Sequence, residues 1–274
     1  SDNTKASSIE IVSIEQSSWL SIWLWTLLVS LISLILVGGW TRLTDSGLSI
    51  VEWKPITGMI PPFNSEGWIV EFEKYKSIPE FKLVNFDITM DEFKFIYWWE
   101  WGHRQLARFL GLVWFVGFLI LWITRQIPKR WTLYFFGIGL LGALQAFLGW
   151  WMVSSGLDGQ VVDVFSYRLA IHLTMAFIIL ALIFWAILFH SENSEKIFES
   201  RRHRNKVSVN ILTGLGVLCY VQLALGALVA GIDAGRSYND WPLMNGNWIP
   251  VDLFEYEPII INFFENAGLV QFNH

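Results

Sequence analysis

The chain has 274 residues, of which 54% are hydrophobic and only 16% charged, and 17 are tryptophan. A water-soluble domain of that length needs far more polar surface, so the composition excludes one and indicates an integral membrane protein. The net charge of −5 builds no basic face for nucleic acid, because acids and bases are sorted by loop; the single cysteine, Cys219, excludes an internal disulfide and a cysteine-rich metal site and is expected in inert helix packing.

Residues 1–18 are polar, slightly acidic and nearly free of arginine, unlike a secretory signal or a mitochondrial transit peptide, so they read as a cytosolic or matrix tail. Five apolar runs each reach the roughly 20 residues a bilayer requires: 19–37, 104–123, 131–153, 169–189 and 207–230. A long loop, 40–92, separates the first two. A sixth run starts near Pro258 and is unfinished at His274, so the sequence is expected to be a piece of a longer chain. Arg125 with IPKR, and 196–206 with its RRHR, concentrate positive charge, whereas 154–167 and 231–257 are mostly acidic. The positive-inside rule then puts the N-terminus and the basic loops in the cytoplasm or matrix, and loop 40–92 outside. The expected division is a tail (1–18), an N-terminal four-helix bundle (19–190), a basic inner loop (191–206) and the start of a second bundle (207–274).

An internal repeat supports two bundles. DSGLSIVEW follows the first span and DAGRSYNDW the fifth, with Asp45, Gly47 and Trp53 in register with Asp233, Gly235 and Trp241. Prolines follow both, and QAFLG ending the third span is echoed by QLALG in the fifth. EWGH at 100–103 then corresponds to QFNH at 271–274. Generic turn chemistry explains Asx and Gly at a helix end, but not the tryptophan in register. The expected architecture is all-α: two pseudo-symmetric four-helix bundles, eight helices in all, with five and part of a sixth in this sequence.

The chemistry concentrates in YWWEWGHRQLAR. His103 and His172 lie on spans that both run inward, at depths within roughly 6 Å of one another. Two histidines level on helices of one bundle can clamp a haem iron from both sides, whereas a compact metal site needs more ligands than Glu100 and two imidazoles supply. Trp98, Trp99, Trp101, Trp150 and Trp151 can flank a porphyrin, or form an interfacial belt. Glu100 shares a helix face with His103 and can move protons beside a haem edge; an ion pair with Arg104 at i,i+4 is the competing role. Arg104 and Arg108 need anionic partners, and haem propionates suit them, unless they snorkel to the surface. His190 and His203 read as solvated loop residues. By residues alone, a haem-oxidising enzyme, an electron-transfer cytochrome b and a haem carrier all stay open.

The motifs GGWTRLTDSGLSIVEWKPITGMIPP, EWGHR, LGWWMVSSGL, IHL and ALVAGIDAGRSYNDWPLMNGNWIP together resemble the haem A synthase family, from the first span to the end of the chain. The resemblance, to the form found in mitochondria and alphaproteobacteria, implies an inner-membrane oxidoreductase that oxidises a methyl group of haem O to a formyl group for terminal oxidases; a bacterial inner membrane, with the N-terminus cytoplasmic, is expected ahead of the mitochondrial inner membrane. It implies His103 and His172 as axial ligands of the substrate haem O, His274 as one ligand of a haem b in the second bundle with the fourth histidine beyond residue 274, and Glu100 as the essential carboxylate. A haem O synthase as supplier, an electron acceptor of unknown identity and the lipid bilayer are the implied partners, with homo-oligomers left open. The cysteine pair of some bacterial members is missing, which removes thiol chemistry.

Overall fold

The computed structural model describes residues 17–157, 161–191, 199–200 and 202–274. The N-terminal tail up to residue 16 and half of the basic inner loop, including Arg201 of RRHR, lie outside the described residues. Five helices are long and apolar enough to cross a membrane, and among the described residues there is no strand. The protein is an all-α integral membrane protein.

α1 (Ser18–Leu43) starts where the Ser17 side chain accepts from Leu20 N, satisfying one of the free amides of a helix start. It runs past residue 37, and Asp45 at φ 48° turns the chain out of it. Loop 40–92 is not a bare connection. It contains α2 (Ser65–Tyr75), capped by Asn64, and α3 (Pro79–Leu83), opened by its proline. α4 (Met90–Ile123) begins well before residue 104, because Thr89 and Glu92 close a capping box at its start. At 34 residues it is about 50 Å long, against about 30 Å of hydrocarbon, so its first turns stand outside. There Phe93, Ile96 and Tyr97 pack with Leu48, Ile50, Phe72, Tyr75 and Ile78 into an outer core, which forms a cap on the membrane bundle.

α5 (Lys129–Leu157), α6 (Ser166–Ser191) and α7 (Lys206–Gly231) complete the long helices. α1 packs on α4 and α6, and α5 on α4 and α6, which sets α4 and α6 on opposite corners of a four-helix bundle. α7 packs against α6 from outside this bundle and carries Cys219, which is exposed among the described residues. The run expected from Pro258 becomes a 3-10 turn, then α8 (Asn262–Glu265) and α9 (Ala267–Asn273). Asn266, at φ −84° and ψ 114°, breaks the run and caps α9 by accepting from Leu269 N.

Core residues gather in the inner half of the bundle: Leu20, Leu24, Leu27 and Leu31 of α1 meet Leu121, Phe135, Ile138, Ile179 and Ile183. Two glycines permit that closeness. A Cβ on Gly117 would stand 2.2 Å from the Trp23 ring, and one on Gly139 1.9 Å from Trp114, whereas Gly111 has open space. Gly117→Ala is therefore expected to lower stability by about 1–3 kcal/mol through overpacking, while Gly111→Ala leaves it unchanged or raises it by up to about 1 kcal/mol. Thermal unfolding in detergent micelles compares the two.

The two repeats meet at Arg42. Its guanidinium binds Asp45 at 2.9 Å and Asp233 at 3.1 Å, residues that correspond in the repeat and are both left-handed. Its Nε donates to Ala230 O at 3.0 Å.

Candidate functional site

Glu100 is 3% exposed, yet every oxygen is served. Oε2 accepts from Ser49 Oγ at 2.7 Å and from Ile50 N at 2.8 Å. Oε1 accepts from Arg104 Nε at 3.0 Å and Nη2 at 2.6 Å. The i,i+4 ion pair anticipated from spacing is present, and charge-assisted bonds of this kind hold a buried carboxylate in one orientation. Ser49 and Ile50 come from the DSGLSIVEW turn, so that motif's role is to seat Glu100.

Arg104 also donates to the carbonyls of Ile50 and Glu52, and Arg108 to those of Lys54 and Pro55. Both arginines thereby strap residues 50–55 to the outer part of α4. Arg104 finds an anion in Glu100, the i,i+4 partner anticipated from spacing. Arg108 bonds Gln105 through Nη1 and has no carboxylate partner among the described residues.

His103 and His172 stand on the opposite helices α4 and α6. Each is about 20 residues from the C-terminal end of its helix, which puts them level to within roughly 1.5 Å. Their surroundings match. A Cβ on Gly38 of α1 would fall 2.9 Å from His103 Cε1, and one on Gly149 of α5 2.9 Å from His172 Cε1. The backbone of Leu34 lies beside the His103 ring and that of Gln145 beside the His172 ring, and Nδ1 of each is buried without a formed hydrogen bond. Gln145 Nε2 donates to His172 O at 2.9 Å.

These features fit a haem. An axial histidine keeps Nδ1 toward a backbone carbonyl and presents Nε2 to iron. At the level of the two rings the helices do not close: α1 has no buried residue between Leu31 and Thr41, α4 none between Glu100 and Leu121, and α5 none between Ile138 and Ser155. No group of three or more histidine, cysteine or carboxylate ligands able to hold a bare metal ion occurs among the described residues.

The second half repeats the arrangement in a neutral form. A Cβ on Gly226 of α7 would lie 2.9 Å from His274 Cε1, and Gln222 Nε2 binds His274 Nδ1 at 2.9 Å. Gln271, at the position of Glu100, accepts from Tyr238 N at 3.0 Å as Glu100 accepts from Ile50 N. Its Nε2 donates to Tyr238 O at 2.8 Å. His274 is thus not brought to His103 and His172; it belongs to a separate, exposed corner.

The family model for the cytochrome oxidase assembly proteins, COX15-CtaA, matches residues 21–274. The chain belongs to this family. It is 54% identical over 253 residues to a protein of Dinoroseobacter shibae named heme A synthase, covering 92% of this chain and 66% of that one. A heme A synthase of Paracoccus denitrificans is 51% identical with the same coverage, and one of Cereibacter sphaeroides 48% identical over 263 residues, covering 92% of this chain and 67% of that protein. The chain therefore spans about two thirds of the length of the curated relatives it matches. No solved structure matches. The resemblance carried by the sequence motifs is borne out.

Sequence reasoning missed Arg168, although YRLAIH puts it four residues before His172 on one helix face. Its guanidinium lies 4.4 Å from the Trp151 ring and Nη1 donates to Trp151 O at 2.6 Å, while Nε is buried without a partner. His190 is corrected: it is 5% exposed, not solvated, because α6 continues past it and its ring meets Ser17 O at 3.2 Å. His203 is exposed.

Proposed function

We propose that this chain carries the substrate site of a haem A synthase, which oxidises a methyl group of haem O to a formyl group. The observation that carries this reading is the buried, oriented Glu100 carboxylate one helical turn from His103. An electron-transfer cytochrome has little use for an acid on the ligand face, and a carrier has none for a second, fixed haem site at His274. The shared name of the relatives favours the same choice.

In this reading His103 and His172 hold the iron of substrate haem O, and Gly38 and Gly149 give their rings room. Arg108 and Arg168, whose guanidinium groups keep unspent donors, hold the propionates, with Arg104 committed to Glu100. Glu100 takes a proton released as the methyl carbon is oxidised, and its four donors keep it aimed while the charge changes. His274 is one ligand of a resident haem b, and Gln271 beside it performs no proton chemistry. When bound, haem b supplies one-electron redox chemistry. The protein sits in the bacterial inner membrane with its N-terminus cytoplasmic and residues 40–92 outside. It receives haem O from a haem O synthase and passes electrons to an acceptor in or at the membrane.

Extraction of the haems from the purified full-length protein tests the reading. Haem O or haem A together with haem b is the expected result; haem b alone would make the protein a cytochrome instead.

A further inference from the structure

The stretch between Lys54 and Glu66 holds no charged residue, and its apolar side chains stand clear of the protein: Ile56 is 73% exposed, Met59 49% and Phe63 84%, with Ile60 at the rim. The opposite face of this loop is polar. It lines a cleft toward α2 whose charged members are Glu52, Lys54, Glu66, Glu71, Arg104 and Arg108. A segment with two such faces needs an apolar medium in front of one of them.

Side chains of α4 fix the depth of the loop. Gln105 Nε2 donates to Met59 O at 2.6 Å, and Arg108 donates through Nε to Pro55 O at 2.8 Å and through Nη2 to Lys54 O at 2.9 Å. A Cβ on Gly58 would stand 3.0 Å from Arg108 Nη2, so the turn lies directly on that side chain. α4 ends at Ile123, and Arg125 is the first charge beyond it. Back along the helix from Ile123, Gln105 and Arg108 stand about 27 and 22 Å away at 1.5 Å per residue. That is inside a hydrocarbon layer about 30 Å thick, and any tilt of the helix sets them deeper. Even with both side chains snorkelling toward the cap, residues 55–60 stay at the cap-side edge of the hydrocarbon.

The backbone suits that depth. The carbonyls of Lys54, Pro55, Ile56, Thr57 and Met59 all accept hydrogen bonds, from Arg108, Gln105 or the amides of Gly58, Met59 and Ile60. Pro55, Pro61 and Pro62 have no N–H to satisfy. Unpartnered backbone is excluded from hydrocarbon; the amides of Ile56 and Thr57, which have no partner among the described residues, therefore hold the loop at headgroup depth and no further in. Trp53, half-exposed where the loop begins, is the residue type of an interfacial belt.

We propose that residues 55–63 form a membrane-interface loop, seated between the headgroups and acyl chains of the cap-side leaflet with Ile56, Met59 and Phe63 in lipid. A lipid surface is favoured over a protein as occupant. The loop is level with the cap-side end of the α4 span, and it rests on the corner of the bundle opposite α6, through which the second half attaches. The inference does not depend on the synthase reading. Residues 50–54, which lead into the loop, supply the Ile50 amide to Glu100 and carbonyls to Arg104, which ties the seat of Glu100 to the bilayer.

Spin labels test this in the full-length protein, reconstituted in nanodiscs of phosphatidylethanolamine and phosphatidylglycerol. In a background freed of native cysteines, Cys219 included, Ile56→Cys and Phe63→Cys each carry one nitroxide. Val116→Cys in the α4 span and Glu66→Cys on α2, both at exposed positions, are the apolar and aqueous references. The expected result is that dissolved oxygen relaxes the loop labels more than a water-soluble nickel chelate does, as at Val116→Cys and the reverse of Glu66→Cys. Loop labels that follow Glu66→Cys overturn the proposal. Labels shielded from both reagents would mean that a protein surface covers the loop, and overturn it as well. If the cysteine variants do not accumulate, the unmodified protein is photo-crosslinked to a phosphatidylethanolamine carrying a diazirine high on one acyl chain, and the adducts are mapped by mass spectrometry. Adducts on residues 55–63 support the place of the loop in the leaflet; adducts confined to the spans overturn it.

Discussion

Glu100→Gln is expected to abolish haem A formation, by about 10²-fold or more, while both haems stay bound. The glutamine is the informative replacement because the protein already uses it. Gln271 occupies the corresponding position of the second repeat and keeps the bond from the facing backbone amide, Tyr238 N at 3.0 Å against Ile50 N at 2.8 Å. The shape of the site and its tie to the turn after α1 are thus compatible with an amide; what the amide lacks is the capacity to take a proton and the negative charge that answers Arg104, although it still offers an acceptor oxygen where alanine offers nothing. Glu100→Ala is a harsher change. It leaves Arg104, with a side chain 14% exposed, without its carboxylate, and breaking a buried pair in this way costs about 3–5 kcal/mol. Product loss in the alanine variant therefore mixes chemistry with damage to the cap. Haem A formation in cells, read with the haem spectrum of each purified variant, separates the two: Glu100→Gln with normal haem content and no product is the expected pair. Product retained in Glu100→Gln removes Glu100 from the proton chemistry.

The sequence made the ligands and the acid legible because each is a polar residue in a run where hydrocarbon demands apolar ones, a contrast that survives without any knowledge of packing. The repeat was legible for a similar reason, since Asp, Gly and Trp recur in register across DSGLSIVEW and DAGRSYNDW. The cap was not. Residues 40–92 alternate charge and hydrophobicity without a run long enough to span, and α2 and α3 owe their place to the projecting turns of α4, a tertiary fact. The burial of Glu80 in this cap, at 7% exposure, was not legible either, because an acid in a polar loop carries no signal until the loop is folded over it. Arg104 and Arg108 read as cations in need of anionic partners; their bonds to loop carbonyls were not legible, because they depend on where residues 50–55 pass. His190 was misplaced by two residues: with α6 ending at Ser191 rather than at 189 the ring stays inside, against Ser17 at the start of α1.

Gly38→Ala is expected to cost the first site its haem ligation, and Gly39→Ala to leave it intact. The two glycines are neighbours on α1, equal in helix propensity and in what an added methyl does to the unfolded chain, so any difference between them reports their surroundings. A Cβ at Gly38 would lie 2.9 Å from His103 Cε1 and 3.3 Å from Nδ1, while at Gly39 nothing stands within 4 Å. The intruding methyl meets the ring, and α1 and α4 are held together below it by the Leu24, Leu27 and Leu31 core, so the imidazole has to turn or retreat. Either movement displaces the imidazole that, with His172, would hold a haem iron. Geometry of this kind is intolerant, since a displacement of even about 1 Å in a supporting shell is enough to lose a site. The same reasoning applies to Gly149 opposite His172 and Gly226 opposite His274, each with a Cε1 contact of 2.9 Å, and Gly142, with nothing within 4 Å, serves as the control on α5. Optical and electron paramagnetic resonance spectra of the purified variants read the coordination directly. Loss of the six-coordinate low-spin signal of the first site in Gly38→Ala and Gly149→Ala, with Gly39→Ala and Gly142→Ala unchanged, is the expected pattern. Four variants with the same spectrum would mean that the close approach of glycine and histidine has nothing to do with holding haem.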